Sequence, residues 1–305
     1  MRKAIGIGMA ALAVAGIGAA WVYRDRLSFA IDLVRAYTAA QRFYAEYEHL
    51  ARDVAFHPDM APRLDVYSPP EGDAHPVLVF IHGGSWKDYD KALFSPVAMR
   101  LLPEGMVVVI PDYTLYPDAG YEQMAQEMAA AISWTLENAE RYGGDPHKVV
   151  VAGHSSGAHL AALALMDPRF LSSNGHSADE VRGLIGISGP YDIRAEYDYW
   201  MAKGTYPEVL VEVMGGQERF EAASPSSYIR AGVPPTLLIH GRKDETVPVE
   251  ISEALYANLQ AVGANAALAV YDDAGHTDFL FSALTDAQAR LVVDLVSFVR
   301  RNTAE

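Results

Sequence analysis

Gly153-His154-Ser155-Ser156-Gly157 fits the Gly-x-Ser-x-Gly pattern, in which a sharp turn presents a serine. The pattern alone is weak. Its setting is not: the apolar run Val149–Ala152 precedes it directly, and an Ala/Leu-rich stretch, Ser156–Met166, follows directly. The flanking glycines remove side chains that would collide in such a turn. Ser155 also falls at a helix N-terminus, where the dipole favours negative charge. A serine hydroxyl is a poor nucleophile at neutral pH and needs an adjacent base. Histidine titrates near that pH, and a buried carboxylate fixes its tautomer and stabilises the imidazolium. Asp244, in the segment from His240 to Pro248, and His276, in the segment from Asp272 to Phe279, supply those types in the order Ser–Asp–His. Glu245, Asp192 and Asp273 are the rival acids. His154, His159 and His240 are the rival bases and read as packing, solvent-facing or strand-end residues.

Acyl transfer also needs donors aimed at a developing oxyanion, and glycine amides approach closely enough to serve. His82-Gly83-Gly84-Ser85-Trp86 follows the apolar run Val77–Ile81, and the amides of Gly83, Gly84 and Ser156 are the candidates. An ordinary glycine turn is the alternative, with His82 bracing the loop. No Gly-x-Gly-x-x-Gly or Walker-type loop opens a helix and no His-x-x-x-His pair occurs, so neither a nucleotide cofactor nor a metal is expected.

These segments need a frame. Strand-like runs occur at Leu64–Tyr67, Val77–Ile81, Met106–Ile110, Val149–Ala152, Leu184–Ile187, Thr236–Ile239 and Ala267–Tyr271. Helical stretches lie between most of them, notably Tyr121–Tyr142, Ser156–Met166, Val249–Val262 and Asp286–Arg301. The alternation predicts a doubly wound, mostly parallel α/β sheet, whose sites form at the C-terminal ends of strands. All four chemical segments follow strands. The interval 189–234 breaks the alternation and reads as an inserted cap, rich in Tyr and acidic residues. Trp86 and the cap residues Tyr199 and Trp200 are the candidate substrate contacts; the cap aromatics serve equally well as the cap's own small core. Glu196, Asp198, Glu208 and Glu212 would disfavour anionic substrates.

The 305 residues carry 24 Lys and Arg against 39 Asp and Glu, a net charge of −15 that argues against nucleic-acid partners. Half the residues are hydrophobic, as in a globular chain, and the absence of cysteine excludes disulfides and a thiol nucleophile. After Met1-Arg2-Lys3 an uncharged run extends from Ala4 to Tyr23, about the length that crosses a bilayer's hydrocarbon core. Trp21, Tyr23, Arg24 and Arg26 follow the pattern of an interfacial belt. Residues 1–24 are therefore expected to be a single membrane anchor with an extracytoplasmic catalytic domain. The alternative is a signal cleaved after Ala20, giving a secreted or periplasmic protein. Residues 25–56 read as a helical stalk or lid, with 57–305 as the catalytic domain.

Taken together, Leu64-Asp65-Val66-Tyr67-Ser68-Pro69, the His-Gly-Gly segment, Asp112-Tyr113-Thr114-Leu115-Tyr116-Pro117, Tyr142-Gly143-Gly144-Asp145-Pro146 and the serine turn resemble the α/β-hydrolase carboxylesterases. The similarity is to the group around kynurenine formamidase, prenylcysteine methylesterase and feruloyl-esterase-like enzymes, over roughly residues 52–300. It implies Ser155 as nucleophile, His276 as base, Asp244 as its partner, and Gly83, Gly84 and Ser156 as oxyanion donors, with Asp112 and Tyr113 holding the oxyanion loop. Ser156 stands where alanine is common, a conservative departure because only its amide is needed. The N-terminal apolar run departs from soluble formamidases and is similar in outline to membrane-attached methylesterases, which favours a lipophilic or aromatic small-molecule ester. The expected function is a serine carboxylesterase working through an acyl-enzyme without a cofactor. A formamidase, amidase or peptidase on the same residues, and a non-catalytic membrane-attached binding module, are the alternatives.

Overall fold

Runs of Val, Ile and Leu that can be buried on both faces suit the interior of a parallel sheet, and most of the chain after residue 62 is built on them. The computed structural model describes residues 34, 35 and 37–304. Helix α1 (34, 35 and 37–46) leads to strands β1 (Leu50–Val54), β2 (Leu64–Tyr67) and β3 (His75–Ile81). Next come α2 (Ser95–Leu101), β4 (Val107–Pro111), α3 (Tyr121–Asn138), β5 (Gly144–His154), α4 (Ser156–Met166), α5 (Pro168–Ser172) and β6 (Gly183–Ile187). The cap interval supplies α6 (Ile193–Ala202), α7 (Glu208–Val213) and α8 (Phe220–Ala223). The remainder is β7 (Thr236–Gly241), α9 (Val249–Ala261), β8 (Ala266–Tyr271), α10 (Asp278–Thr285) and α11 (Arg290–Thr303).

The strands form one sheet in the order β1-β2-β4-β3-β5-β6-β7-β8. β1, β2 and β4 pair antiparallel, and every pairing from β4 to β8 is parallel. Period-two alternation sends Val77, Val79 and Ile81 of β3 into a core shared with α3 and α4. Leu78 and Phe80 face the opposite layer, with α2 and α11. The order reverses between β3 and β5: the chain leaves β3 toward β4 and leaves β5 toward β6. A crevice opens at such a reversal. Register fills it, because Ile81 is opposite Gly153 and Gly241 is opposite Tyr271. The first pairing sets the His82-Gly83-Gly84 turn beside the serine turn; the second sets the Asp244 and His276 loops side by side.

One expectation needs correcting. The helical reading of 25–56 holds for α1 and fails at Leu50–Val54, which is an edge strand with a register irregularity between Ala51 and Val54. Pairing with β2 satisfies these backbone groups, and long-range pairing of this kind overrides local periodicity. The sheet therefore begins at Leu50, ahead of the first expected strand at Leu64 and of the expected domain boundary at 57. The apolar run Ala4–Tyr23 lies outside the described residues, and among those described no helix is long and apolar enough to cross a membrane.

Candidate active site

At the end of β5 the chain turns through Ser155 at φ 54° and ψ −124°, a conformation that costs a non-glycine residue strain. The turn is held from both sides. The Ser155 amide donates to the Ile187 carbonyl at 2.8 Å, and α4 starts at the next residue. A Cβ on Gly157 would overlap the carbonyls of Ile81 and His82, so glycine is what lets α4 come down onto the end of β3.

Ser155 Oγ lies 2.9 Å from His276 Nε2, and His276 Nδ1 lies 2.7 Å from Asp244 Oδ2. A carboxylate only accepts, so Nδ1 carries the proton and Nε2 is left to accept from the serine hydroxyl. The other Asp244 oxygen, Oδ1, accepts from the amides of Thr246 and Val247, each at 2.9 Å. Oδ2 also faces His240 Nε2 at 3.2 Å. Burial pushes the Asp244 carboxyl up, but hydrogen bonds from His240 and His276 outweigh it, and the group stays well below the usual carboxylate range.

Among the described residues, Asp244 is the one acid hydrogen-bonded to His276, and none of the rivals takes its place. Glu245 contributes its backbone carbonyl to the Tyr199 hydroxyl and Lys203, Asp192 caps α6 through the Ala195 amide at 3.0 Å, and Asp273 is exposed. His240 is wholly buried, with Nδ1 2.7 Å from Ser252 Oγ and Nε2 2.9 Å from the Val247 carbonyl. His154 donates through Nε2 to the His276 carbonyl at 3.0 Å. Burial, and next the neighbouring His276, push its pKa down to about 3. His159 faces neither solvent nor simple packing. It is buried, accepts from Trp86 Nε1 at 3.2 Å, donates to the Ala223 carbonyl at 2.7 Å, and is pushed down to about 4 by burial.

Among the described residues, none accepts a hydrogen bond from the amides of Gly83, Gly84 or Ser156. Gly83 and Gly84 line the cavity that reaches Ser155. Their loop is braced from below. His82 is buried between the rings of Tyr113 and Phe94, at 4.6 and 5.3 Å, and contacts Asp112 at 3.7 Å. The Tyr113 hydroxyl donates to the His82 carbonyl at 3.2 Å and lies 3.4 Å from Ser156 Oγ. Sequence reasoning missed Lys91. Its buried ammonium joins Asp53 at 2.7 Å and Asp112 at 3.2 Å, while its amide donates to Asp112 at 2.7 Å. Asp53 precedes it by 38 residues and Asp112 follows by 21, so no local spacing signals the cluster.

The cavity encloses about 570 Å³ and runs between the oxyanion loop, α1, α2, α10 and α11. None of the three expected substrate contacts lines it. Trp86 is buried, its indole committed to His159. Tyr199 and Trp200 lie in the cap, where Tyr199 reaches the Glu245 carbonyl at 3.0 Å and the Lys203 ammonium sits 4.4 Å from its ring centre. The other cap aromatics pack on one another, Tyr197 against Phe220 at 5.4 Å and Tyr206 at 6.2 Å. Tyr191 and Phe220 are buried, Tyr197, Tyr199 and Trp200 are half-buried, and Tyr206 stays exposed. Glu196, expected among the acidic residues that disfavour anionic substrates, is buried.

Residues 64–259 match the BD-FAE family. Over 96% of this chain and 73% of the relative's length, the chain is 30% identical to isoprenylcysteine alpha-carbonyl methylesterase ICME of Arabidopsis thaliana. It is also 30% identical to esterase LipC of Mycobacterium tuberculosis (strain ATCC 25618 / H37Rv), over 86% of this chain and 68% of LipC. Among solved structures, a truncated carbohydrate esterase from gut microbiota is similar with a TM-score of 0.70 at 23% identity, covering 84% of this chain and 96% of that one, a likeness of fold. The chain belongs to the BD-FAE family and is an α/β-hydrolase carboxylesterase, a carboxylic ester hydrolase.

Proposed function

We propose that the chain hydrolyses its esters through an acyl-enzyme formed on Ser155, with His276 as base and Asp244 as the partner of His276. The carrying observation is the continuous chain from Ser155 Oγ to His276 at 2.9 Å and from His276 to Asp244 at 2.7 Å. His276 Nε2 takes the hydroxyl proton as Ser155 Oγ bonds to the ester carbonyl carbon. The amides of Gly83, Gly84 and Ser156 hold the oxyanion. His276 then protonates the alcohol oxygen as the C–O bond breaks, leaving the acyl group on Ser155. A water that gives a proton to His276 attacks the acyl carbon, and Ser155 leaves with that proton. Residues 50–303 act as one hydrolase unit in this reading, with 189–234 as its cap. Residues 4–23 anchor it to a membrane, and recovery of a mature chain that begins after Ala20 would overturn the anchor.

The test is labelling by a fluorophosphonate, which needs an activated serine and little else. Wild type is expected to label. Ser155→Ala is expected to lose the label and to lose ester hydrolysis by up to ~10⁶ in kcat. More than a few per cent of wild-type activity in Ser155→Ala would sink the assignment.

A further inference from the structure

The cavity at Ser155, about 570 Å³, is large enough to enclose more than a small acyl group. Its inner wall is apolar, with Phe80 from β3, Val97 and Leu101 from α2, and Leu291 and Leu295 from α11. Its rim carries Val34 and Tyr37 of α1 and Tyr89 of the oxyanion loop, which are 65%, 51% and 60% exposed. Exposed large apolar side chains scattered singly mean little, but a group of them around the mouth of an apolar cavity marks a contact surface.

The chain itself says what meets this surface. Ten residues separate Tyr23, the end of the uncharged run, from Val34. Ten residues span at most ~35 Å extended and ~15 Å as a helix, so a bilayer holding that run is within reach of the rim. Residues 24–35 carry Arg24, Arg26 and Arg35 against Asp25 and Asp32, one net positive charge in a chain of net charge −15, so the stretch next to the run escapes the repulsion that anionic headgroups exert on the rest of the chain. We propose that the rim of Val34, Tyr37 and Tyr89 rests on the bilayer entered by residues 4–23, and that the cavity draws the apolar chain of an ester directly from it to Ser155. The inference deepens the proposed serine-esterase reading and rests on it.

The experiment uses the full chain in vesicles of phosphatidylcholine and phosphatidylglycerol, given p-nitrophenyl acetate or p-nitrophenyl decanoate. Each methylene taken from water strengthens binding about four-fold, so kcat/KM referred to the ester free in water should be at least ~100-fold higher for the decanoate than for the acetate. Val97→Trp should lower this ratio at least ten-fold, with Leu280→Trp on the opposite wall as the second variant should the first fail to fold. Equal kcat/KM for the two esters, or a ratio that neither variant changes, overturns the chain subsite. Tyr37→Trp reads the docking: brominated phosphatidylcholine should quench its added fluorescence. Absence of that quenching overturns the docking. So does a change of sedimentation on Tyr37→Asp in detergent, which would give the rim to a second copy of the chain. The serine reading fails separately, by full acetate hydrolysis in Ser155→Ala whatever the chain-length ratio.

Discussion

Asp244 has four donors around its two oxygens, two amides and two histidines. His276 is one of them and His240 is the other. The tautomer of His240 follows from its partners: the Val247 carbonyl and the Asp244 carboxylate only accept, so Nε2 carries the proton and Nδ1 accepts from Ser252. His240 therefore orients the carboxylate that orients His276 and is a positioning residue. His240→Leu should cost about 1–3 kcal/mol of stability, because the buried Ser252 hydroxyl and Val247 carbonyl lose their partner. It should also lower kcat by ~10–100-fold with little change in KM, since misplacing a reacting group costs that much without touching ground-state binding. Asp244→Asn should cost more, up to ~10⁴, because the tautomer of His276 is lost as well. A His240→Leu enzyme with wild-type kcat and a lowered Tm would mean that His240 only packs.

At the scale of elements, α6 does something other than line the site. Glu196, Tyr199, Trp200 and Lys203 recur at helical spacing on one face of the helix or just past its end. Tyr199 and Lys203 both donate to the Glu245 carbonyl, at 3.0 and 3.2 Å, beside Asp244. Burial, and next the charge of Asp244, push the Glu196 carboxyl up to about 8 from 4.5, against a hydrogen bond from Trp200. The unfolded chain releases this proton above pH 4.5 and the folded chain keeps it to about 8, so stability falls as pH rises through that window. Glu196→Gln removes the effect. The variant should gain on wild type between pH 5 and 8, by on the order of a few kcal/mol, and a difference in unfolding free energy that stays flat with pH would refute it. Here lies the limit of what the sequence could tell. Strands β2 to β8, the serine turn and the loops of Asp244 and His276 are legible in the sequence because each is a local pattern with its neighbours in the chain. The gripping role of α6, the Lys91 cluster and the cavity wall of α1, α2, α10 and α11 are not. Helical spacing shows that Tyr199 and Trp200 share a face, but the partner of that face is 42 or more residues away. The strand Leu50–Val54 falls in a stretch of helical periodicity, and what makes it a strand is pairing with β2, 10 to 17 residues further on and beyond the reach of a helical repeat.

Across the whole molecule, two buried histidines tie separate layers together as neutral rings. His154 joins the end of β5 to the His276 carbonyl, and His159 joins Trp86 in the oxyanion loop to Ala223 in the cap. Protonating His159 would remove the acceptor for the Trp86 indole and place a charge in a wholly buried site. Burial lowers its pKa from 6.5 to about 4. A group lowered in this way contributes stability that is fully present above the unfolded value of 6.5 and is lost as pH falls through the window down to about 4. Glu196 moves in the opposite direction over part of the same window, so the total pH profile mixes signs and a single wild-type titration would not isolate the histidine. Comparison with His159→Gln does. Glutamine can replace hydrogen bonds but takes up no proton, so only the wild type carries the linkage. At pH 7.5 the variant should be the less stable, having imperfect contacts to Trp86 and Ala223. From pH 6.5 downward the wild type should lose ground on it by up to ~1.4 kcal/mol per pH unit, so the gap in unfolding free energy closes and then reverses near pH 5. Urea unfolding of both proteins at pH 7.5, 6.0 and 5.0 reads this directly. A gap that holds constant over that range would mean that water or a rotated ring accommodates the charged imidazole. The His159 link between the oxyanion loop and the cap would then be packing alone.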